Sequence, residues 1–437
     1  MMNLNKTLAV SIAVAAGLGV IGLTSSAFAQ EGPAPASDTS VFVFNTLLFL
    51  ISGMVVMFMA AGFCMLEAGL VRSKNAATIC LKNIALYSVA GLMVYLFGYN
   101  LIYGVAEGGW IGKFGPWGAD DSDPVGTGYA ASSDWYFQMV FVATAASIVS
   151  GTLAERIKLL PFLIFVALLT GFIYPIQAGW VWGAGWLDAR FDDFAGSTLV
   201  HSTGGWAALA GAIVLGPRAG KYVSGRVTPI PGSSLPLATL GTFVLWLGWF
   251  GFNGGSQLAL GTIDDAVSVA KIFVNTNMAA CGGVVTALVL TQVLYKKVDL
   301  TIVLNGAIGG LVSITAEPLQ PAIYQAILIG AVGGAIVTLA VPLLDKFKID
   351  DVVGAIPAHL FCGIWGTLIV PLTNNGVTFI GQLTGVLAIG VFVFAVSLVI
   401  WLALKYTLGI RASETDERIG LDKAELGLEA YPEFAST

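Results

Sequence analysis

Charged residues are scarce in this sequence of 437 residues. Asp, Glu, Lys and Arg together make up 11% of the chain, against about 25% in an average soluble domain. Hydrophobic residues make up 57%, and the mean hydropathy is +0.85. Such a chain cannot cover its surface with polar groups. The composition therefore excludes an ordinary water-soluble protein and predicts an all-α polytopic membrane protein.

Two motifs of other function classes are also missing. No GxxxxGK[ST] string occurs, which removes the commonest signature of nucleotide-driven pumps. The cysteines follow no CxxC spacing, so neither a zinc site nor a disulfide framework is predicted, and we expect buried packing thiols at Cys64, Cys80, Cys281 and Cys362. We expect no metal, no cofactor and no enzymatic activity.

Histidine occurs only twice, at His201 and His359. Each lies in an apolar stretch of membrane length, 194–216 and 350–372, and is followed shortly by a Gly and a Trp. Polar groups in membrane spans are costly and tend to be functional. A neutral imidazole offers one donor and one acceptor, with a pKa near physiological pH. We predict that the two histidines act together, relaying protons or binding a small polar solute.

The first 29 residues are typical of a cleaved secretory signal peptide. Lys6 provides the positive start, an apolar run follows, and Ala27-Phe28-Ala29 forms a cleavage site. The alternative is a first membrane helix that the mature protein retains. We favour cleavage because residues 30–41 are polar and rich in Pro and Ser, and we predict that they form a periplasmic segment.

Residues 42–410 contain eleven apolar stretches long enough to span a bilayer. They run approximately over 42–70, 79–103, 134–153, 159–182, 197–216, 235–256, 266–294, 300–316, 323–344, 353–373 and 381–408. The predicted inner loops hold twelve Lys and Arg residues, including Lys82, whereas the predicted outer side holds three. This asymmetry predicts an N-out, C-in topology.

A five-plus-five inverted repeat would place His201 and His359 on corresponding helices, the fifth and the tenth. Residues 411–437 then form a cytoplasmic tail, which either packs as a strap on the inner face or binds a partner.

Aromatic residues cluster towards the predicted outer half. Phe137 and Phe141 are one helical turn apart, Trp182 ends the fourth span, and Phe252 lies near the end of the sixth. Each alone is more often a packing residue or an interfacial anchor. Together, their rings could attract a small cation by cation–π interaction, worth about 2 kcal/mol when desolvated.

Seven ordered strings resemble the ammonium transporters of the Amt/Mep/Rh superfamily, bacterial Amt branch. They are GLVRSKN at 69–75, GTLAERIK at 151–158, DFAGSTLVH at 193–201, GWFGFNGGS at 248–256, FVNT at 273–276, PAHLFCGIWGTL at 357–368 and ERIGLD at 417–422. The resemblance covers nearly the whole mature chain. It implies a homotrimer in the inner (plasma) membrane, with one pore through each eleven-helix protomer.

The resemblance also implies site residues, carried over by motif. An external ammonium recruitment site would use Phe137, Trp182 and Ser256, and a gate of stacked rings would use Phe141 and Phe252. His201 and His359 would be the twin pore histidines, and Asp193 an acid near the pore entrance. The tail string resembles a regulatory segment that binds trimeric PII signalling proteins. One departure is Gly354, where some relatives carry an acid.

We therefore expect a transporter or channel that recruits ammonium, deprotonates it and conducts ammonia, with or without the proton. Alternatives are an ammonium sensor with little flux, a membrane haem protein ligated by both histidines, and a cation-coupled secondary transporter. Glu67 is either an intramembrane acid or a helix-end residue near Arg72.

Overall fold

The computed structural model describes residues 36–434, which are mostly helical. Eight helices in this range are long and apolar enough to cross a membrane, and three more occupy the remaining predicted stretches. In chain order they are α1 (Asp38–Leu70), α2 (Ser73–Tyr103), α3 (Ala131–Thr152), α4 (Leu159–Gly179), α5 (Ser197–Leu215), α6 (Leu235–Gly255), α7 (Ile263–Tyr295), α8 (Leu300–Ile314), α9 (Ile323–Lys346), α10 (Ile356–Leu372) and α11 (Phe379–Thr407). The predicted signal peptide lies outside the described residues.

Some boundaries and side-chain positions differ from the sequence-based expectation. Helix α2 begins at Ser73, so Lys82 lies within the helix, buried, rather than in a charged connection. Helix α4 ends at Gly179, which leaves Trp182 in the turn that follows. The expectation of four buried thiols was wrong, because only Cys362 is buried and Cys80 is exposed.

The C-terminal tail packs against one end of the helical bundle, which we call the tail side. The tail contains a helix at Glu414–Ile419, a π-helical turn at Asp422–Leu426 and a 3-10 turn at Pro432–Phe434. The Lys74 ammonium group donates to the Glu417 carbonyl oxygen at 3.0 Å, and the Leu421 N–H donates to Asn75 Oδ1 at 2.9 Å. A two-stranded antiparallel hairpin, β1 (Tyr222–Val223) and β2 (Arg226–Val227), connects α5 to α6. A short helix at Pro124–Thr127 lies between α2 and α3.

Glycine allows the helices to approach closely, because small residues let backbones pack without the hydrophobic effect that drives association in water. A Cβ atom at Gly330 of α9 would lie 1.9 Å from the Ala279 carbonyl oxygen of α7. The two backbones are therefore in direct contact at this crossing, and a larger side chain at Gly330 would force the helices apart.

Candidate functional site

Both histidines lie on short π-helical segments at the N-terminal ends of their helices. His201 belongs to the segment Ser197–Ser202 that opens α5, and His359 to the segment Ile356–Phe361 that opens α10. π-Helical turns are rare and occur frequently at functional sites. The apolar pattern predicted the helices but gave no signal for this wider local geometry.

An aspartate caps each of these two helices in the same way. Asp193 accepts hydrogen bonds from four successive backbone N–H groups, those of residues 196–199, at 2.7–3.1 Å. Asp351 accepts from the N–H groups of Gly354 and Ile356 at 3.2 and 2.7 Å. Each aspartate stands eight residues before its histidine. Asp351 was missed in the sequence, although this repeated spacing could have revealed it.

The capping turns explain the glycine at position 354. Gly354 has a φ of +78°, and Gly196, three residues after the other capping aspartate, has a φ of +106°. Both therefore adopt a left-handed conformation that glycine takes without strain. A Cβ atom at Gly354 would also lie 2.8 Å from Asn305 Nδ2. The glycine at this position therefore allows the turn that precedes α10.

The two histidines contact each other directly. Their Nδ1 atoms lie 3.2 Å apart, and their ring centroids are 5.3 Å apart at an interplanar angle of 27°. Both side chains are buried, and His201 also stacks on Trp249 with a centroid separation of 5.0 Å. The Trp249 indole N–H donates to Thr315 Oγ1 at 2.9 Å, which fixes the ring behind the pair.

A stack of phenylalanine rings lies next to the histidine pair. Phe141 and Phe252 have centroids 3.9 Å apart and an interplanar angle of 26°. The Phe252 centroid lies 5.2 Å from that of His201, and Phe137 adds a third ring 4.7 Å from Phe141. The structure thus brings together the predicted gate and the predicted histidines in one continuous sequence of rings.

A cavity of about 460 Å³ opens beyond the phenylalanine stack, away from the tail, and we call this end the vestibule side. Its lining includes three predicted recruitment residues together with aromatic and polar neighbours: Phe137, Trp182, Ser256, Tyr103, Asp134 and Gln138. The Ser256 hydroxyl donates to the Phe252 carbonyl oxygen at 2.9 Å, so its own oxygen lone pairs are free to accept a hydrogen bond. The predicted recruitment residues therefore share one cavity.

Asp193 acts on this cavity indirectly. Its carboxylate faces the α5 backbone and does not line the cavity, but its carbonyl oxygen accepts the Trp182 indole N–H at 3.1 Å. That bond orients the indole, whose ring centroid lies 6.2 Å from that of Phe141. Asp193 is thus placed to position both α5 and Trp182.

One acid of the vestibule was missed in the sequence. Asp134, in the first turn of α3, is buried, accepts from Gln138 Nε2 at 3.1 Å and is hydrogen-bonded by the Tyr99 hydroxyl. A carboxylate three residues before Phe137 was a usable signal. Its tyrosine partner lies 35 positions away and could not be paired with it from the sequence.

Glu67 lies in the last turn of α1 but does not pair with Arg72. Its side chain is buried and accepts the Ser150 hydroxyl at 2.7 Å. Arg72 instead donates from Nε to Glu155 Oε2 at 2.6 Å. Glu67 and His359 line the same small cavity on the tail side of the pair.

The histidine geometry does not fit haem ligation. Two axial histidines must face each other across the porphyrin plane and its iron, whereas these rings are in direct contact and partly stacked. No group of three or more possible metal-ligating side chains occurs within residues 36–434.

A bundle of apolar membrane helices, with a vestibule leading through stacked rings to buried histidines, is the architecture of a membrane protein that handles a small solute. A family model described as Ammonium Transporter Family matches residues 47–431. The chain belongs to the ammonium transporter family and is a multi-pass helical membrane protein.

Individual relatives agree with this assignment. The chain is 40% identical to the ammonium transporter Amt2 of Archaeoglobus fulgidus over 420 residues, covering 89% of this chain and 88% of that protein. It is 35% identical over 405 residues to Amt2 of Methanocaldococcus jannaschii, covering 89% and 91%. These relatives are named as transporters, not enzymes.

Solved structures show the same fold. A Sensor Amt Protein superposes with a TM-score of 0.82 at 34% identity, covering 89% of this chain and all of that one. Mep2 of Candida albicans superposes with a TM-score of 0.79 at 27% identity, covering 91% and 92%.

Proposed function

We propose that this chain transports ammonium by binding the cation in the vestibule and conducting ammonia past the histidine pair. The observation that carries the proposal is the order of groups along one path. The vestibule with its free serine lone pairs comes first, then the Phe141–Phe252 stack, and then the bonded histidines. The vestibule, the ring stack and the histidine pair each interact with the solute in a different way along this path.

Selection of the cation occurs where water is still present. Aromatic faces attract a cation, by about 2 kcal/mol when desolvated, and Ser256 Oγ can accept one of its N–H groups. Asp134 adds a carboxylate to the same cavity. These groups recruit ammonium and distinguish it from larger or uncharged solutes.

Deprotonation takes place at the phenylalanine stack. An unsolvated cation is costly in a passage of low dielectric constant, whereas neutral ammonia is not. Beyond the stack, ammonia has the buried histidines as hydrogen-bond partners. The pair therefore serves a neutral solute and a proton, rather than selecting the cation.

The proposal includes the arrangement in the membrane. Eleven spans, an external N-terminus, a cytoplasmic tail and a location in the inner membrane agree with the charge asymmetry of the connections. The matching aspartate caps of α5 and α10 support a five-plus-five inverted repeat. The family resemblance supports a homotrimer with one pore in each protomer, and a cleaved signal peptide over residues 1–29.

We further propose a PII-type partner for the tail. The string at 417–422 resembles the regulatory segment of the family, and the same residues pack on the tail side. A pull-down with the PII protein of the host cell, using the full chain and a chain ending at residue 410, tests this. Equal retention on both chains would contradict a role for the tail.

A second candidate function is ammonium sensing with little flux. It is favoured by the similarity to the Sensor Amt Protein. Binding of ammonium in the vestibule without measurable uptake by reconstituted protein would support this candidate.

The test of the proposed function is an ammonium pulse on proteoliposomes at zero applied potential, with current and internal pH recorded together. Transport of ammonia alone predicts an internal pH rise without current, and transport with the proton predicts a current. Absence of both, in protein that still binds ammonium, would contradict transport.

A further inference from the structure

The cavity on the tail side of the histidine pair is small. Its volume is about 10 Å³, room for about one water molecule. Phe63, Glu67, Asn305 and His359 are among its lining residues. A water here would have one neighbour able to exchange a proton on each side, the imidazole of His359 and the carboxylate of Glu67.

Glu67 has one carboxylate oxygen free to take up a proton. Its Oε2 accepts the Ser150 hydroxyl at 2.7 Å, whereas its Oε1 is buried and has no hydrogen-bond partner among residues 36–434. The nearby Asn83 amide donates one of its two N–H groups to the Ile79 carbonyl oxygen at 3.1 Å. An unpartnered buried carboxylate oxygen is costly, and an ionisable residue within a membrane span is expected to be functional.

Lys82 supplies a positive charge without occupying the free oxygen. Its ammonium group is buried and donates to the Ser150 carbonyl oxygen at 2.9 Å. Ser150 therefore stands between the two charges, and Lys82 forms no ion pair within 4.0 Å of Glu67 in the described part of the chain. Apart from Lys82 and His359, the titratable neighbours of Glu67 are the Cys64 and Cys80 thiols. The acid thus has a nearby countercharge and an open oxygen.

We propose that Glu67 is the proton acceptor on the tail side of the histidine pair. The proposal rests on the proposed function and adds the route of the proton. The N–H bond of ammonium breaks at the phenylalanine stack as a new N–H bond forms on His201. A proton then moves to His359 through the hydrogen bond that the two rings share, and the cavity water delivers a proton from His359 to Glu67 Oε1 as a new O–H bond. That O–H bond then breaks to release the proton on the tail side, while ammonia leaves separately.

The test compares proton movement with ammonia movement in the full chain, reconstituted in liposomes. Glu67→Gln keeps the size of the side chain and an acceptor for the Ser150 hydroxyl, but its amide cannot take up the proton. We expect the ammonium-induced current to fall about tenfold or more, while ammonia flux, measured as the total ammonium and ammonia that accumulate inside the liposomes, stays within about twofold of the wild type. Glu67→Asp should restore part of the current.

The control is Glu414→Gln, the same chemical change at an exposed carboxylate on the tail side, and it should alter neither quantity. Thermal unfolding of each variant checks that it folds. Equal loss of current and flux in folded Glu67→Gln protein would show a structural role, and unchanged current would exclude Glu67 from the proton route. Either result overturns the proposal. If the wild type itself gives neither current nor flux, the proposed function fails instead.

Discussion

The Nδ1 atoms of His201 and His359 lie 3.2 Å apart, so the two rings share one hydrogen bond. One ring must donate its Nδ1–H and the other must accept with a bare Nδ1. Two imidazolium rings would place two N–H groups against each other, which like-charge repulsion disfavours. The pair therefore holds at most one extra proton at a time, and a proton that arrives on one ring can change which ring donates.

The shared bond makes a prediction for His201→Ala, His359→Ala and the double variant. Either single change removes the same hydrogen bond and interrupts the same path. We expect each single change to reduce the ammonium-induced current about tenfold or more. The current of the double variant should lie within about twofold of the current of the more impaired single variant. Currents from equal amounts of reconstituted protein measure this. Multiplicative losses in the double variant would show that the histidines act independently.

A buried ion pair on the tail side makes stability depend on pH. Asp350 accepts hydrogen bonds from Arg218 Nε at 2.8 Å and from Nη2 at 2.9 Å. Burial opposes ionisation, but the Arg218 hydrogen bonds and the charge of Arg156 hold the pKa of Asp350 well below its ordinary value. Because the pKa of Asp350 is lower in the folded chain than the value of about 3.9 in the unfolded chain, its ionised carboxylate stabilises the fold at pH values above about 3.9. This stabilisation is lost as the pH falls from about 3.9 towards the pKa of the folded state.

Asp350→Asn should therefore cost about 2–3 kcal/mol at pH 7, because Arg218 loses the carboxylate that accepts from its Nε and Nη2 and keeps only Glu155, 3.5 Å from its Nη1. The difference from the wild type should shrink below about pH 4. Thermal unfolding in detergent at pH 7 and at pH 3 measures both. The control is Asp345→Asn, whose Lys221 partner lies 3.3 Å away in a more exposed pair and is worth less than about 1 kcal/mol. A stability difference between the wild type and Asp350→Asn that is the same at pH 7 and pH 3 would show that the Asp350 carboxylate is not the source of the pH dependence.

Asp422 anchors the tail by capping α2. Its carboxylate accepts the N–H groups of Ala77 and Thr78 at 3.0 and 2.7 Å. Asp422→Ala should remove about 1–2 kcal/mol of local stability and speed tryptic cleavage after Arg418 or Lys423 by about 5- to 30-fold. Glu414→Ala, at an exposed tail carboxylate, should leave the rate unchanged. Equal rates in wild type and Asp422→Ala would mean that other contacts hold the tail.

Much of the helical framework could be predicted from the sequence, because a bilayer imposes a minimum apolar length that composition reveals. The positions of individual side chains and the local helix geometry were harder to predict where they depend on tertiary contacts rather than on the bilayer or the solvent. Lys82 lies inside a helix because the Ser150 carbonyl oxygen satisfies it. The π-helical turn at His201 follows a cap formed by Asp193, and an apolar pattern does not encode that cap.

Several residues of the candidate site could be predicted because they belong to specific sequence strings. His201 and Phe252 are recognisable because each belongs to a specific string. Their contact, by contrast, joins α5 to α6 and depends on how the helices pack. The same limitation hid the pairing of Tyr99 with Asp134. Residue types could be read locally, but their distances required the structure.

The most direct test of the central claim is methylammonium uptake by proteoliposomes, with and without competing potassium. His201→Ala and Phe252→Ala remove the two groups that adjoin at a centroid distance of 5.2 Å. Phe250→Ala, whose ring stacks on Phe273 instead, is the matched control. We predict that uptake or its discrimination against potassium falls about tenfold in both pore variants and stays unchanged in the control. Selective uptake at the wild-type level in both pore variants would contradict it.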